Sequence, residues 1–449
     1  MGNPGQFFGT DGIRGRFGEE PVTAETAYRL GRVLADTTGN SNARICVGQD
    51  TRESSEVLAR YFARGVRDGN CQVERLGVLS TPGVAYHTKH SDVSFGVAIT
   101  ASHNPYEYNG FKVFSKHGTK LDRVAENRLE RRLLTSRYKP EDFKNLHAID
   151  STSDAIEGTY FKFLRDRAAR LGELSLSAVV DCAHGATTEI APQVLGVLIP
   201  QLQVIGNQPN GRNINLGCGS TAIEALRQAV LATKADIGIA FDGDGDRALF
   251  VDALGQVVNG DQVLYLLASF YQAELGQQSG VVGTVMSNLG LSDALQVLDI
   301  PFARTDVGDR QVANELDRRG WQLGGEPSGH VIWKREGHIG DGVLLAICVL
   351  EVMKSSTMPL HDLVAPVRMA PQVQCDVAVE NASVLFAQPS VSHAIAEVSE
   401  LIGCQGRLLV RPSGTEPVLR VMVEHRSQAK AEELVRIAVD RLATAMKSS

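Results

Sequence analysis

Five short apolar runs, ARICVG, VSFGVAIT, LSAVVDCA, DIGIAF and GVVGTVMS, punctuate the first two thirds of the chain, with longer stretches of helical period between them. Runs of this length rich in Val and Ile read as strands, and their alternation with helices restricts the chain to α/β layers rather than bundles or sandwiches. Helices are expected over Val22 to Thr38, Glu53 to Asp68 and Ser153 to Leu171. The runs end on polar residues: Asp50, Ser102, Asp181, Asp242 and Ser287. In open parallel sheets ligands sit beyond the carboxyl ends of strands, so these endings are where a site is expected.

At 449 residues the chain is long enough for roughly three domains of about 150 residues each. The spacing of the runs suggests three successive α/β units, near 1–153, 154–254 and 255–366, with no repeat at residue level. The rest, 367–449, differs. QVQCDVAV and GRLLVRPSGTEPVLRVMVEHR read as strands around a Gly-containing turn, followed by a helix with Leu434, Ile437, Ala438, Leu442 and Ala445 on one face. That is an α+β module, and Pro359 and Pro366 lie near its join.

Hydrophobic residues at 43% and charged residues at 22% belong to a globular chain with ample apolar surface to bury. A formal charge of −7 gives no basic footprint for nucleic acid. Cysteines 46, 71, 182, 218, 348, 375 and 404 are scattered, without a CxxC pair, which suggests neither a zinc cage nor a disulfide framework and fits a cytoplasmic protein. No export signal and no membrane span are expected, since no stretch approaches about 18 uninterrupted apolar residues.

Chemistry concentrates in four segments. In FGVAITASHNPYEYNGFK, residues 95 to 112, a strand ends at Ser102 beside His103. Neighbouring side chains of an extended chain point apart, and no GxSxG elbow surrounds any serine, so a hydrolytic pair is poorly supported. A plain turn before Pro105 is the simplest alternative.

In DIGIAFDGDGDRALFVD, Asp242, Asp244 and Asp246 follow an apolar strand, separated only by glycines. Carboxylates about 4 Å apart repel by about 4 kcal/mol per pair at an effective dielectric near 20. A hard divalent cation, magnesium or calcium, removes that cost. An EF-hand is rejected because Arg247 stands where Gly is needed and Ala253 where Glu is needed. The loose dinucleotide pattern GxGxxA at 243–248 would set aspartates against a pyrophosphate, and its second occurrence, 217–222, lacks a strand before it.

RPSGTEPVLR, residues 411 to 420, has the makings of an anion cradle: hydroxyls of Ser413 and Thr415, a flexible Gly414, and the charged donors Arg411 and Arg420. A capped hairpin turn is the alternative there. In GGEPSGH, Glu326 and Ser328 are candidates for sugar hydroxyls, while a lone His330 is more often structural than catalytic.

TASHNP at 100–105, DGDGDR at 242–247, GEPSGH at 325–330 and RPSGTEP at 411–417 stand in the order and rough spacing of the α-D-phosphohexomutase superfamily, which the sequence resembles from end to end. Within it the chain is most similar to the branch acting on glucosamine phosphates, through FFGTDGIRG, DCAHGAT, NGRNINLGCGST, GTVMSNLGL and VGDR. The resemblance implies four domains around a central cleft and interconversion of glucosamine 6-phosphate and glucosamine 1-phosphate, a step toward UDP-N-acetylglucosamine and cell-wall precursors.

It further implies that Ser102 carries a phosphoryl group and joins Asp242, Asp244 and Asp246 in binding magnesium. Lys112 and Arg247 would neutralise phosphoryl oxygens, and Arg14 would face the same phosphate. Glu326 and Ser328 would orient the sugar, and Arg411, Ser413, Gly414, Thr415 and Arg420 would hold the phosphate that is not reacting. Glucosamine or glucose 1,6-bisphosphate would serve as activator. His330 is a candidate proton acceptor, and Asp309 and Arg310 with Cys218 to Thr221 are candidates for reading the amino group. A phosphoserine brings about −1.5 to −2 charges, which three aspartates tolerate only with metal and basic residues nearby.

The expected partner is a small phosphosugar, with no nucleic acid and no membrane, and a homodimer is left open. Three other readings compete: a phosphomannomutase or phosphoglucomutase; a metal-dependent phosphatase or serine hydrolase, for which a second phosphate clamp is superfluous; and a non-catalytic sugar-phosphate sensor, for which an intact serine and three aspartates are superfluous.

Overall fold

The computed structural model describes residues 7–9, 11–136, 158–276, 279–412 and 417–447. The expected division near 153 and the start of the helix predicted from Ser153 lie outside these residues; the described helix there is Thr159–Leu171. The helices predicted near the N-terminus are present as α1 (Ala24–Thr38) and α2 (Glu53–Asp68).

Three mixed sheets follow one another along the chain. The first holds β1 (Ile13–Arg16), β2 (Arg44–Gln49), β3 (Gln72–Val78), β4 (Phe95–Ile99) and β5 (Tyr108–Ser115) in the order β1-β5-β4-β2-β3. The second holds β6 (Ser177–Asp181), β7 (Gln201–Ile205), β8 (Ile237–Phe241), β9 (Ala248–Asp252) and β10 (Val257–Val258) in the order β10-β9-β8-β6-β7. The third holds β11 (Val281–Thr284), β12 (Phe302–Thr305), β13 (Leu323–Gly325) and β14 (Val331–Trp333) in the order β12-β11-β13-β14.

A shared plan underlies all three. In each, the first parallel strand lies between the second and the third, and the third is followed at once by an antiparallel neighbour. The loops closing these pairs, β4 to β5, β8 to β9 and β13 to β14, contain Ser102, the three aspartates, and Glu326 to His330 respectively. The repeat that is invisible residue by residue is thus a repeat of topology. Each sheet is mixed, an antiparallel strand extending a parallel core, within the α/β class expected from the sequence.

The strands feeding the first two loops are almost wholly buried, β4 between β5 and β2 and β8 between β9 and β6. Leu30, Leu34, Leu58 and Phe62 from α1 and α2 pack with Ile45, Val47, Val97 and Ile99 of the first sheet, each contributing about 1.5–3 kcal/mol by leaving water. The two helices approach closely through glycine: a Cβ on Gly65 would lie 2.0 Å from the Tyr28 carbonyl oxygen. In the second sheet Leu226 and Val230 of the helix Glu224–Thr233 cover Val179, Ala240 and Val251. The helix Gly342–Ser356 is buried on nearly every side, so its run GVLLAICVLEVM needs no lipid to explain it.

The chain divides into two compact units, Met1–Thr284 with Ile300–Ala365, and Val285–Asp299 with Pro366–Ser449. In the second, β15 (Gln372–Ala378), β16 (Gly406–Pro412) and β17 (Val418–His425) form an antiparallel sheet in the order β15-β17-β16. Leu434, Ala438 and Leu442 of the helix Gln428–Lys447 are buried against it, with Ile437 and Ala445 partly so, as their spacing predicted. The segment 285–299, read from the sequence as part of the third α/β stretch, packs in this unit: Arg407 donates to the carbonyls of Val285 and Ser287, and Glu424 accepts the Leu289 N–H at 3.0 Å.

Candidate active site

Ser102 leaves β4 in a left-handed conformation, φ 51°, which residues with a side chain adopt only where the surroundings enforce it. Its N–H donates to Thr100 Oγ1 at 2.9 Å, and its hydroxyl donates to Asp242 Oδ2 at 2.7 Å. His103 Nδ1 lies 3.4 Å from the same hydroxyl, a poor length for an O–H donor. Burial and then the charges of Arg247 and Arg14 push the His103 imidazole down to about 4. The serine is therefore paired with a carboxylate 140 residues away rather than with its sequence neighbour.

Asp242, Asp244 and Asp246 are all buried, and one oxygen of each lies within 4.8 Å of the others. The Lys112 ammonium, on β5, donates to Asp244 Oδ2 and Asp246 Oδ2 at 2.8 Å each, and Thr81 Oγ1 donates to Asp244 Oδ2 at 2.5 Å. Asp244 Oδ1 and Asp246 Oδ1, although buried, have no hydrogen-bond partner. Burial and then the charges of Asp246 and Asp244 hold the Asp242 carboxyl well above its usual range. Orphaned carboxylate oxygens in this arrangement, beside a serine oxygen, fit a hard divalent cation.

Around this centre Arg14 pairs with Asp11 at 2.5 Å, and Asp11 also meets Lys112 at 3.2 Å and Lys120. The Nε atoms of Arg14 and Arg247 and the Ser328 hydroxyl are buried without hydrogen-bond partners, donors ready for an anionic, hydroxyl-bearing ligand. Glu326 Oε1 accepts the Gly308 N–H at 3.0 Å, which ties the β13 to β14 loop to the VGDR segment. His330 is enclosed: Nε2 accepts from the Gly340 N–H at 3.3 Å and Nδ1 lies 3.6 Å from Asp246 Oδ1. Burial alone would lower its pKa, but Asp246 beside it raises it.

Several expected positions serve other purposes. Arg310 makes a two-pronged bridge to the buried Glu126, and Asp309 pairs with Lys120. In Cys218 to Thr221, the Gly219 N–H donates to Asp181 Oδ2 at 2.7 Å and Ser220 N–H to the Phe241 carbonyl at 2.8 Å, so this segment braces β6 and β8. Asp50 and Asp181, both strand ends, are spent on bonds to Arg52 and Ser55 and to Ala183 and the more distant Gly219. Ser287 is buried in the other unit.

Thr81, Asp11, Lys120, Arg52 and Asn215 escaped the sequence reading. Only Thr81 carries a local signal, as the first residue of the helix α3 (Thr81–His90) capped by Ser80.

In the C-terminal unit Arg411 and Arg420 are register partners on β16 and β17, at the base of the connection that carries RPSGTEP. Arg420 faces Asp376 on its other side, and the two guanidinium groups side by side suit an anionic ligand. Ser413, Gly414 and Thr415 lie outside the described residues.

The same order of parts occurs in known proteins. Family models of phosphoglucomutase/phosphomannomutase match throughout: alpha/beta/alpha domain I over residues 5–139, domain II over 158–255, domain III over 259–369, and the C-terminal domain over 373–441. Phosphoglucosamine mutases of Chromohalobacter salexigens and Pseudomonas syringae pv. tomato are 42% identical over 446 and 442 residues, covering 97% of this chain and 98% of each relative. Among solved structures, a phosphoglucomutase/phosphomannomutase family protein of Burkholderia thailandensis superposes with a TM-score of 0.80 at 22% identity over 98% of both chains. The N-acetylphosphoglucosamine mutase of Aspergillus fumigatus, in complex with GlcNAc-6P and magnesium, gives 0.69 at 18% identity over 98% of this chain and 96% of that one. These two likenesses speak for the fold, whereas the matched domains and the relatives at 42% speak for descent. With the serine, the aspartate loop and the GEPSGH loop each closing the equivalent strand pair of successive sheets, the chain belongs to the phosphoglucomutase/phosphomannomutase family.

Proposed function

We propose that this protein is a phosphoglucosamine mutase, interconverting glucosamine 6-phosphate and glucosamine 1-phosphate through a phosphoserine at Ser102 and a 1,6-bisphosphate. The observation that carries the mechanism is the Ser102 hydroxyl, 2.7 Å from Asp242 at the edge of a carboxylate group with unpaired oxygens. The substrate rests on relatives 42% identical across nearly the whole chain, all of them phosphoglucosamine mutases. Four segments, dividing near 153, 254 and 366, would each supply one part.

Magnesium, held by Asp242, Asp244, Asp246 and the serine oxygen, would supply positive charge to the transferring phosphoryl group. Lys112, Arg14 and Arg247 add fixed cationic charge beside it, and this kind of transfer depends chiefly on positioning and charge. Phosphoserine gives its phosphoryl group to the free sugar hydroxyl; the P–O bond to Ser102 breaks as that to the sugar forms. The hydroxyl proton passes in net to Ser102 Oγ, the state seen here donating to Asp242. The bisphosphate turns over, and its other phosphoryl group returns to Ser102. Glu326 and Ser328 would hold sugar hydroxyls, and Arg411, Ser413, Gly414, Thr415 and Arg420 would hold the idle phosphate. His330, whose Nε2 accepts from Gly340 and whose Nδ1 lies 3.6 Å from Asp246, is the candidate proton acceptor, and the Asp246 charge beside it favours its protonated form. Glucosamine or glucose 1,6-bisphosphate is the expected activator, since it rephosphorylates Ser102.

Among the described residues no helix is long and apolar enough to cross a membrane. All seven cysteines are free thiols, which favours a reducing cytoplasm.

The test is a panel of glucosamine, glucose and mannose 6-phosphates under identical bisphosphate priming. A site reading the amine prefers glucosamine 6-phosphate by about ten- to a hundredfold in kcat/KM, the equivalent of about 1–3 kcal/mol from groups left unpaired. Equal or higher efficiency with mannose 6-phosphate would move the protein to the hexose-specific members of its family.

A further inference from the structure

The Ser102 loop is held through its backbone from two directions. Arg52, fully buried, is anchored by its Nε donating to Asp50 Oδ2 at 2.8 Å. Its terminal nitrogens donate to the carbonyls of Ser102 at 3.0 Å, of Asn104 at 2.8 Å and of Pro105. Asn215, from the stretch that follows β7, donates through Nδ2 to the same Ser102 carbonyl at 2.9 Å and the same Asn104 carbonyl at 3.1 Å. Both carbonyls thus accept two donors, one arriving from the first sheet's segment and one from the second's.

Asn215 is itself fixed with some strain. It sits at φ 59°, and its N–H donates to the Ala183 carbonyl at 2.9 Å. Ala183 and His184 are consecutive left-handed residues, φ 53° and 49°, a costly pairing that persists only under constraint. The constraint is visible: Asp181 Oδ1 accepts the Ala183 N–H at 2.9 Å.

We infer that Arg52 and Asn215 are positioning residues that hold Ser102 in its left-handed conformation and keep Oγ aimed at the aspartate loop in both phosphorylation states. This rests on the phosphoserine reading given above. The hydroxyl bond to Asp242 exists only while Oγ carries a proton, and a phosphoryl group abolishes it and adds about −1.5 to −2 charges. A loop secured by that bond alone would lose its anchor at each half-reaction. The clamp on the two carbonyls is indifferent to what Oγ carries.

Arg52→Ala strips a buried ion pair and risks the fold, so Asn215 bears the test, with Arg52→Lys in support, since an ammonium lacks the planar fork that reaches three carbonyls. Asn215→Asp has the same size but sets an oxygen against carbonyl oxygens. A displacement near 1 Å at a reacting atom costs about a hundredfold in rate. We therefore expect Asn215→Asp and Asn215→Ala to lower kcat by about ten- to a hundredfold while KM for glucosamine 6-phosphate stays within about threefold. Both should retain phosphate on Ser102 in intact-mass spectra after incubation with the bisphosphate.

The inference is overturned if Asn215→Asp keeps kcat within threefold of wild type, or if KM rises at unchanged kcat, either of which reduces Asn215 to packing or to substrate binding. Wild-type turnover without phosphate on Ser102 would overturn both this inference and the phosphoserine reading, which separates that failure from a failure of the clamp alone.

Discussion

Replacing Lys112 by methionine keeps most of a buried stem and deletes one charge from the centre of the site. The ammonium, 1% exposed, lies 2.8 Å from Asp244 Oδ2, 2.8 Å from Asp246 Oδ2 and 3.2 Å from Asp11 Oδ2. Removing one partner of a buried ion cluster costs about 3–5 kcal/mol, because the remaining charges stay desolvated and unpaired. The loss has a characteristic pH dependence. Burial pushes the Asp246 and Asp11 carboxyls up, but Lys112 with His330 and Arg247 at Asp246, and with Lys120 and Arg14 at Asp11, together outweighs it and holds both well below the ordinary range. Groups depressed on folding supply stability above their unfolded pKa, near 4, and lose it only as pH falls through the lower folded value, so the wild type keeps this contribution from pH 5 to 8.

In Lys112→Met both carboxyls lose the largest of these opposing charges while their burial stays, and we expect them to rise past their unfolded value. Groups raised on folding withdraw stability as pH climbs from about 4 through the folded pKa. Thermal unfolding in excess chelator should therefore show the variant melting below the wild type by a margin that is smallest at pH 5 and largest at pH 8. Magnesium should narrow the margin at pH 8, since a cation replaces part of the missing charge. A margin as large at pH 5 as at pH 8, or an unchanged melting temperature, would refute the assignment of Lys112 as the charge that balances the aspartate loop.

A second pH effect lies at Asp341, which burial raises to about 6 and whose two oxygens accept the Tyr160 hydroxyl at 3.0 and 2.9 Å. Tyr160→Phe should destabilise the protein by about 1–3 kcal/mol at pH 8 and by less at pH 5, where the carboxyl binds its own proton; equal losses at both pH values would contradict this. Arg411→Ala should leave the melting temperature nearly unchanged, since Arg420 keeps Asp376 opposite it, while KM for glucosamine 6-phosphate rises about tenfold or more with the loss of a charge-assisted bond. Steady-state kinetics with an unchanged KM would remove Arg411 from the phosphate site.

What the sequence reveals of this site is what lies on one short segment. Ser102 and the aspartates are legible because an apolar strand delivers them directly, and the final helix is legible because Leu434, Ala438 and Leu442 follow helical period. Contacts spanning the chain are not. Arg310 meets Glu126 across 184 positions, Lys112 meets Asp244 across 132, and Asn215 reaches Ser102 across 113, and no local pattern marks any of them. Asp50 and Asp181 carry the same strand-end signature as Asp242, yet a following Arg52 or Ala183 satisfies them locally. The threefold topology is hidden for a related reason: strand order depends on pairing, and different apolar sequences satisfy the same pairing. The packing of 285–299 in the C-terminal unit is likewise decided by the bonds Arg407 and Glu424 make to it, not by its own composition.

The central claim is that Ser102 carries the transferring phosphoryl group. Intact-mass and peptide mass spectrometry of protein incubated with glucose 1,6-bisphosphate and magnesium, followed by glucosamine 6-phosphate, tests it directly. One phosphate should appear on the peptide containing Ser102; carried in with a heavy-oxygen label, it should pass to the sugar and be replaced by the substrate's unlabelled phosphate within one turnover, and Ser102→Ala should accept none and be inactive while remaining folded. Turnover by Ser102→Ala, or a heavy-oxygen label that stays on Ser102 through many wild-type turnovers without passing to the sugar, would contradict the account.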